Sequence, residues 1–196
     1  MDKADHFACK STAFELESFK SESSVPSPDG VSRIHLRSDY TIDVMDGGRK
    51  LAALEYKDLN CCIEVGWSPD STQFFVMYSD SGGNGSFTVH WYTISQGLVS
   101  ENHATKDVAN DFSSKYSCHE GGPNNLFFLG WTSDSRKVFF VTEVAGRDCG
   151  RYPDHYEGYL VDTKTQEIIR RYGAKGTDRI EKNCRASGVL SMRELR

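Results

Sequence analysis

The sequence is poor in long apolar runs and in clustered positive charge. No apolar run approaches the ~18 residues that a membrane span needs, and the N-terminus, Met1-Asp2-Lys3-Ala4-Asp5-His6, lacks the apolar core of a signal peptide. The chain has 23 Lys and Arg against 28 Asp and Glu, with a formal net charge of −5 and no long basic run. Binding to nucleic acid requires a surface that neutralises phosphates. We therefore expect neither a membrane span nor a nucleic-acid partner.

The motifs of common catalytic and nucleotide-binding sites are also missing. The sequence has no Gly-x-Ser-x-Gly elbow, and its spacing places no Ser or Cys beside a His as an activated nucleophile. The glycine-rich stretch 80–86 has the composition of a phosphate-binding loop, but it joins two predicted strands and carries no Lys. We predict a flexible hairpin connection there, and we expect no cofactor, no metal and no catalytic residue in the protein.

Six cysteines are present without a CxxC pair: Cys9, Cys61, Cys62, Cys118, Cys149 and Cys184. Without paired ligand spacings a zinc site is weakly supported, so either disulfides in an oxidising compartment or reduced, partly buried thiols explain the count. Cys118 with Cys149 and Cys9 with Cys184 are two candidate pairs, although connectivity does not follow from sequence. The compartment stays open, with periplasmic or extracellular favoured over cytoplasmic.

A six-residue phrase occurs twice, as GWSPDS at 66–71 and as GWTSDS at 130–135. Each copy follows a short apolar segment and precedes a segment rich in aromatic and β-branched residues, 73–78 and 137–142. These segments are too short for helices and are typical of buried strands. The phrase is therefore predicted to be the turn of a β-hairpin, with Ser71 and Ser135 at the position that Gly would occupy most easily.

A third copy of the turn, Ser27-Pro28-Asp29-Gly30, lies 41 residues before Ser68-Pro69-Asp70-Ser71. Each of the three units continues into a second predicted hairpin, at 40–54, 86–99 and 158–169. Four strands per unit and a spacing near ~40 residues are typical of a propeller blade. The sequence therefore predicts three blades.

The stretch Trp67-Ser68-Pro69-Asp70-Ser71 with its aromatic strand, and YLVDTKT at Tyr159 to Thr165, resemble the TolB-type relatives of the WD-repeat propellers over roughly residues 25–172. The resemblance implies an all-β, propeller-like array of about three four-stranded antiparallel blades with one inserted short helix. Such propellers serve as binding platforms and as enzyme domains. The family closes rings of about four to eight blades, so a homodimer that completes a six-bladed ring is one alternative. A twisted antiparallel β-sandwich is another.

The predicted organisation has three parts. Residues 1–24 form a polar arm in which Phe14, Leu16 and Phe19 suggest a short edge strand. Residues 25–172 form the β domain, with blades at about 25–57, 60–100 and 125–172 and a helical insertion at about 105–117. Within that insertion Val108 and Phe112 recur at helical spacing. Residues 173–196 are predicted to be a mobile C-terminal tail or a short terminal helix.

One loop of the last blade, residues 146–157, holds the densest group of side chains suited to binding: Arg147, Arg151, Tyr152, His155 and Tyr156. Tyr and Arg are favoured where binding energy concentrates in protein interfaces. The structural alternative is an ordered loop whose aromatic rings pack on their own blade. A metal site of Cys118, His119, Cys149 and His155 matches no standard zinc spacing.

We therefore expect a non-catalytic protein-interaction or ligand-binding module in a bacterial-type, exported protein. Its binding surface would be formed by the connection 101–125 and the loop 146–157, and its partner would be a protein. An inhibitor or immunity-like protein that blocks an enzyme fits the same description. The competing hypotheses are a small metal-assisted hydrolase that uses His119 and His155, and a self-assembling structural repeat.

Overall fold

A computed structural model describes residues 7–9, 12–15, 22–56, 62–79, 86–116, 124–144 and 155–185. The chain divides into two compact units, one made of Met1–Lys10 and His103–Arg196 and the other of Ser11–Asn102. The strands are β1 (Phe7–Ala8), β2 (Thr12–Glu15), β3 (Ser23–Pro26), β4 (Ser32–Leu36), β5 (Thr41–Asp46), β6 (Arg49–Glu55), β7 (Cys62–Trp67), β8 (Gln73–Ser79), β9 (Phe87–Ser95), β10 (Leu98–Glu101), β11 (Asn125–Thr132), β12 (Lys137–Glu143), β13 (Tyr156–Asp162) and β14 (Ile168–Tyr172), and the helices are α1 (Ala104–Lys115) and α2 (Ala174–Arg185).

The unit Ser11–Asn102 contains two antiparallel sheets. The first sheet has the order β3-β4-β5-β6, and the second has the order β10-β9-β8-β7-β2. Apolar and polar residues alternate along β4 and β5, so that one face of the first sheet is apolar. That face packs with one face of the second sheet in a shared core of Ile34, Leu36, Ile42, Val44, Tyr56, Ile63, Val65, Trp67, Phe74, Val76 and Tyr92.

Three turns, between β3 and β4, β7 and β8, and β11 and β12, repeat one hydrogen-bond pattern. The hydroxyl of the first turn residue accepts the backbone N–H five residues later, at 2.9–3.0 Å, and donates to the Asp two residues later, at 2.6 Å. The first residues are Ser27, Ser68 and Thr132. The Ser27 hydroxyl lowers the pKa of Asp29, and the Thr132 hydroxyl lowers the pKa of Asp134.

The fourth residue of each of these turns has a positive φ. The values are 74° at Gly30, 63° at Ser71 and 58° at Ser135. A residue with a side chain rarely adopts this left-handed region, whereas Gly does so freely. The prediction that Ser71 and Ser135 occupy a position suited to Gly is confirmed.

The other unit contains the third sheet, with the order β1-β11-β12-β13-β14, and both helices. Helix α1 contributes Ala104, Thr105, Val108 and Phe112 to the interior. It has Asp107 in its first turn and Lys115 in its last, which suits the helix dipole. The helix expected in this connection is therefore present.

Helix α2 packs against the third sheet at Gly158 of β13. A Cβ built on Gly158 would lie 2.7 Å from Thr177 Oγ1 of α2 and would also overlap the Phe139 ring of β12. Ile180 and Cys184 of α2 are buried as well. Of the two alternatives for the C-terminal segment, Ala174–Arg185 takes the helix rather than the mobile tail.

Cys9 and Cys184 form a disulfide, which is one of the two pairings that the cysteine positions suggested. Cys62 is disulfide-bonded as well. The other candidate pair, Cys118 with Cys149, lies outside the described residues.

The expectation of an all-β, propeller-like array of about three four-stranded antiparallel blades is confirmed. Each blade consists of four consecutive strands, β3 to β6, β7 to β10 and β11 to β14. The N-terminal arm adds to two of them, because β2 pairs with β7 and β1 pairs with β11. The short edge strand expected in this arm is present as β2, while Leu16 and Phe19 lie outside the described residues.

Candidate binding site

The predicted loop residues Arg147, Arg151 and Tyr152 lie outside the described part of the chain, in the gap 145–154. His155 and Tyr156 follow that gap directly. A second gap, 117–123, follows helix α1 and belongs to the other connection that we expected to contribute to binding. The site is therefore defined by the residues at the ends of these two connections.

The ends of each connection are held together by a hydrogen bond. Val144 N–H donates to the carbonyl oxygen of His155 at 2.9 Å. Asn124 Nδ2 donates to the carbonyl oxygen of Tyr116 at 3.3 Å. The described residues on either side of each connection, which we call its base, are therefore close together.

The two bases also contact each other through aromatic rings. The ring centroids of Tyr116 and His155 are 4.0 Å apart, and the His155 ring also lies near Phe112 of α1, with centroids 6.3 Å apart. Such ring pairs contribute about 0.5–1.5 kcal/mol beyond their buried area. Tyr116, which precedes the connection 117–123, and His155, which follows the connection 145–154, therefore lie side by side.

A charged network lies beside this ring contact and joins α1 to β14. Asp111 of α1 accepts two hydrogen bonds from the Arg171 guanidinium, at 2.9 and 2.7 Å, and one from Lys115 Nζ at 2.8 Å. Because the Arg171 hydrogen bonds favour the ionised carboxylate, they hold the pKa of Asp111 well below its usual range.

The network continues to the strand β13. The Tyr159 hydroxyl lies 2.9 Å from a Glu157 carboxylate oxygen and 3.0 Å from Asp111 Oδ2. The Tyr116 hydroxyl donates to the other Glu157 oxygen at 3.0 Å. Burial, and then the Glu157 carboxylate, raise the pKa of Tyr159 well above its usual value. The hydroxyl therefore stays protonated at neutral pH.

The charges in this network balance one another. Asp111 and Glu157 carry two negative charges, and Lys115 and Arg171 carry two positive charges, with Lys115 Nζ 3.5 Å from Glu157. Each of these four groups has a partner within hydrogen-bond or ion-pair distance. The arrangement is suited to fixing helix α1 on the sheet rather than to transferring protons.

Tyr156 has a structural contact of its own. Its hydroxyl donates to Asp178 of α2 at 2.5 Å. Of the two predicted site residues that the structure describes, His155 therefore belongs to the base of the two connections, whereas Tyr156 ties β13 to α2.

Sequence reasoning missed the network of Asp111, Glu157, Tyr159 and Arg171. Asp111 and Lys115 are four residues apart on a predicted helix, and this spacing indicates one ion pair. The ion pair of Asp111 with Arg171 could not be predicted from the sequence, because these residues are 60 apart and lie on different elements.

A second polar group lies in the unit Ser11–Asn102. His90 Nδ1 is 2.8 Å from Glu101 Oε1, and the hydroxyls of Tyr56 and Tyr92 are 3.0 Å apart. The His90 and Tyr92 rings are nearly parallel, with centroids 6.3 Å apart. Burial raises the pKa of Tyr92 to about 12. Tyr56 and Tyr92 belong to the core between the first and second sheets.

Within the described ranges, no group of three or more His, Cys, Asp or Glu side chains is placed to hold a metal ion. Neither of the helices that these ranges contain has both the length and the apolar character of a membrane span.

Comparison with known proteins gives only distant structural likeness. No protein-family model matches the chain, and no curated protein matches it. Among solved structures, it is similar to the β-propeller domain of Myceliophteria thermophila Cps50 (Swd1), with 10% identity and a TM-score of 0.43 over 77% of this chain and 43% of that one. It is also similar to Kuenenia stuttgartiensis hydrazine synthase, with 17% identity and a TM-score of 0.43 over 76% of this chain and 41% of that one. The chain thus spans less than half the length of either.

Proposed function

We propose that the chain is a non-catalytic, propeller-like module that binds a protein partner through the connections 117–123 and 145–154. The observation that carries this proposal is the contact between Tyr116 and His155, whose ring centroids are 4.0 Å apart. It brings together the ends of two connections that are far apart in sequence. A single partner can therefore contact both of them.

The support beneath the two connections favours binding, because a rigid base reduces the conformational entropy lost on association. The Asp111 to Arg171 ion pair fixes α1 to β14, and the Tyr116 hydroxyl fixes the end of α1 to Glu157. The segment that follows α1 thus starts from a fixed point. The segment that precedes His155 ends at the same fixed point.

The residues of the connection 145–154 supply the side chains for such an interface. Arg147, Arg151 and Tyr152 belong to the types that most often contribute strongly to protein interfaces. We infer that these three residues, rather than the balanced network of Asp111 and Glu157, make the direct contacts with the partner.

The test is affinity capture with the intact protein as bait, quantified by mass spectrometry. The bait carries either no change, the double change Arg151→Ala and Tyr152→Ala, or the control change Arg136→Ala. Arg136 lies in the turn between β11 and β12, and its side chain is 83% exposed. We expect at least one protein to be captured by the unchanged and Arg136→Ala baits and lost from the double variant. Equal capture by all three baits would refute the proposed surface.

A second variant tests the base of the connections. His155→Ala removes the ring that contacts Tyr116 while leaving Arg151 and Tyr152 in place. We expect the captured protein to bind this variant with lower affinity than the unchanged chain. If that protein is an enzyme, assay of its activity with and without the module decides whether the module is an inhibitor or immunity-like protein.

A second copy of the chain is the other partner that the sequence suggested. In a shared ring, the outer face of the first sheet would have to pack against another blade. That face carries Asp43, whose carboxylate lies 2.5 Å from Lys50 Nζ and 3.6 Å from Arg37 Nη1. Packing these charges away from water is costly. We infer a monomer, and light scattering should give a mass near 22.0 kDa. A stable dimer would contradict this inference.

We further propose that the protein works in an oxidising compartment, periplasmic or extracellular. The support is that Cys9, Cys184 and Cys62 are all disulfide-bonded, and structural disulfides persist in such compartments. Alkylation of the protein from its native source, before any reduction, should leave these three residues unlabelled. Labelled Cys9 and Cys184 would place the protein in a reducing compartment.

A further inference from the structure

Strand β1 is a short segment held at the edge of the third sheet. It consists of Phe7 and Ala8, which pair with Thr132 and Trp131 of β11. The Phe7 ring packs edge to face on Phe139, with centroids 5.5 Å apart, and Phe7 is buried. Two backbone pairs and the Phe7 ring thus hold this segment to the sheet, and β1 also packs against helix α2.

The residue that follows β1 fastens it covalently. Cys9 is bonded to Cys184, at the C-terminal end of α2, across a sequence separation of 175 residues. Both cysteines are buried, with exposed fractions of 2% and 3%. The disulfide tethers residues 7–9 to α2, which also contacts β11, and so removes much of the entropy that their docking would otherwise cost.

Helix α2 has contacts with the sheet that do not involve the disulfide. The Tyr156 hydroxyl donates to Asp178, and Thr177 lies against Gly158. Ile180 is buried on the same helix. The disulfide therefore fastens a short edge segment to a helix that the sheet already holds.

We propose that the Cys9–Cys184 disulfide makes residues 7–9 a redox-controlled strap, and that its reduction releases β1 and uncovers the edge of β11. Once the disulfide is reduced, docking of residues 7–9 gains the free energy of two backbone pairs and one buried ring. The conformational entropy lost by ordering three residues offsets most of that gain. An uncovered strand edge is a surface for pairing with an extended segment. This proposal does not depend on the proposed partner-binding function.

The redox step requires a dithiol reductant, so the strap opens only where such a reductant reaches the oxidising compartment that we propose. A thiolate of the dithiol attacks one sulfur of the Cys9–Cys184 bond, forms a mixed disulfide and displaces the other sulfur as a thiolate, which takes up a proton. The second thiol of the reductant then displaces the remaining protein sulfur. Two electrons and two protons pass to the protein, and the dithiol leaves as a cyclic disulfide. Since both sulfurs are buried, attack has to wait for local opening of the strap.

The test compares backbone hydrogen exchange in the full chain with and without this one disulfide. The double variant Cys9→Ser and Cys184→Ser removes the Cys9–Cys184 disulfide and leaves the Cys62 disulfide intact. A reductant would break both disulfides. We expect exchange in segments containing Trp131 and Thr132 to rise about tenfold or more. Exchange in β8, which belongs to the other compact unit, and in the interior strand β12 should stay unchanged. Unchanged exchange at Trp131 and Thr132 overturns the proposal, and so does an equal rise in β12, which would indicate opening of the whole unit.

A second variant separates the disulfide from the packing. Phe7→Ala keeps the Cys9–Cys184 bond and removes the ring that contacts Phe139. We expect protection at Trp131 and Thr132 to fall by less than about threefold in the Phe7→Ala chain, and to be lost when Phe7→Ala is combined with Cys9→Ser and Cys184→Ser. Full loss in the Phe7→Ala chain alone would show that packing, not the disulfide, holds the strap.

Discussion

The fit of helix α2 against the third sheet gives the sharpest test of the structure, through the change Gly158→Ala. Gly158 is buried in β13, between Val141 of β12 and Tyr172 of β14. A Gly inside a strand ordinarily weakens it. Here the missing side chain leaves room for Thr177 of α2 and for the Phe139 ring, since an added Cβ would lie 2.7 Å from Thr177 Oγ1.

The expected cost of Gly158→Ala follows from this overlap. A methyl group that meets a ring on one side and a helix on the other forces α2 away from the sheet, and such overpacking costs about 1–3 kcal/mol. For a chain of this size, that cost lowers the melting temperature by about 2–12 °C. The assay is thermal and urea unfolding followed by circular dichroism.

Gly173→Ala is the matched control. Gly173 directly precedes α2, and nothing lies within 4 Å of a Cβ built on it. Gly173 is the N-cap of α2, where Gly is preferred to Ala, whereas Ala restricts the unfolded chain more than Gly does. These effects oppose each other, so this change should alter the free energy of unfolding by at most about 1 kcal/mol. If Gly158→Ala is as stable as Gly173→Ala, the close contact of α2 with β13 is wrong.

Three further predictions concern the turn, the charged network and the buried tyrosines. Ser68→Ala should lower the free energy of unfolding by about 1–3 kcal/mol in urea titrations, because the buried Gln73 N–H loses its acceptor; Ser100→Ala, on an exposed position of β10, should have no effect, and equal stability of both variants would contradict this reasoning. The lowered pKa of Asp111 contributes stability that is complete above the unfolded pKa near 4 and is lost as pH falls through the lower folded value; Asp111→Asn should therefore reduce the fall in stability measured between pH 5 and pH 2 (~3 pH units), and an unchanged profile would count against the Arg171 pair. Burial raises the pKa of Tyr92 to about 12, so the stability that the protonated Tyr92 hydroxyl contributes is complete below about pH 10 and is lost as pH rises through the folded pKa. Absorbance titration should show a tyrosine that ionises well above pH 10 in the unchanged chain and is absent from Tyr92→Phe. Ionisation of all nine tyrosines in one step near pH 10 would refute the raised pKa.

The strands and turns of this fold could be predicted because their determinants are local. The hydroxyl of Ser68 and the carboxylate of Asp70 lie within one turn, and their hydrogen bond joins residues two apart. Alternation along a strand such as β4 likewise depends on neighbouring residues only. The positive φ at Ser71 followed from turn chemistry and needed no tertiary information.

The candidate site could be predicted only in outline, because its contacts join distant parts of the chain. Tyr116 and His155 meet across two connections, and Asp111 meets Arg171 across 60 residues. The helix α1 was predictable from the spacing of Val108 and Phe112. Which side chains its polar face would meet was not, since that depends on where the third sheet places β13 and β14.

The N-terminal arm covers strand edges that would otherwise be open to pairing with another chain. An unpaired strand edge favours aggregation, and proteins protect such edges by covering or blunting them. The first strand of the second sheet, β7, is covered by β2, and the first strand of the third sheet, β11, is covered by β1. The first strand of the first sheet, β3, ends in Pro26, which has no N–H to offer a further strand. Each first strand is thus protected by the chain itself, and none of the three sheets needs a neighbouring molecule at that edge.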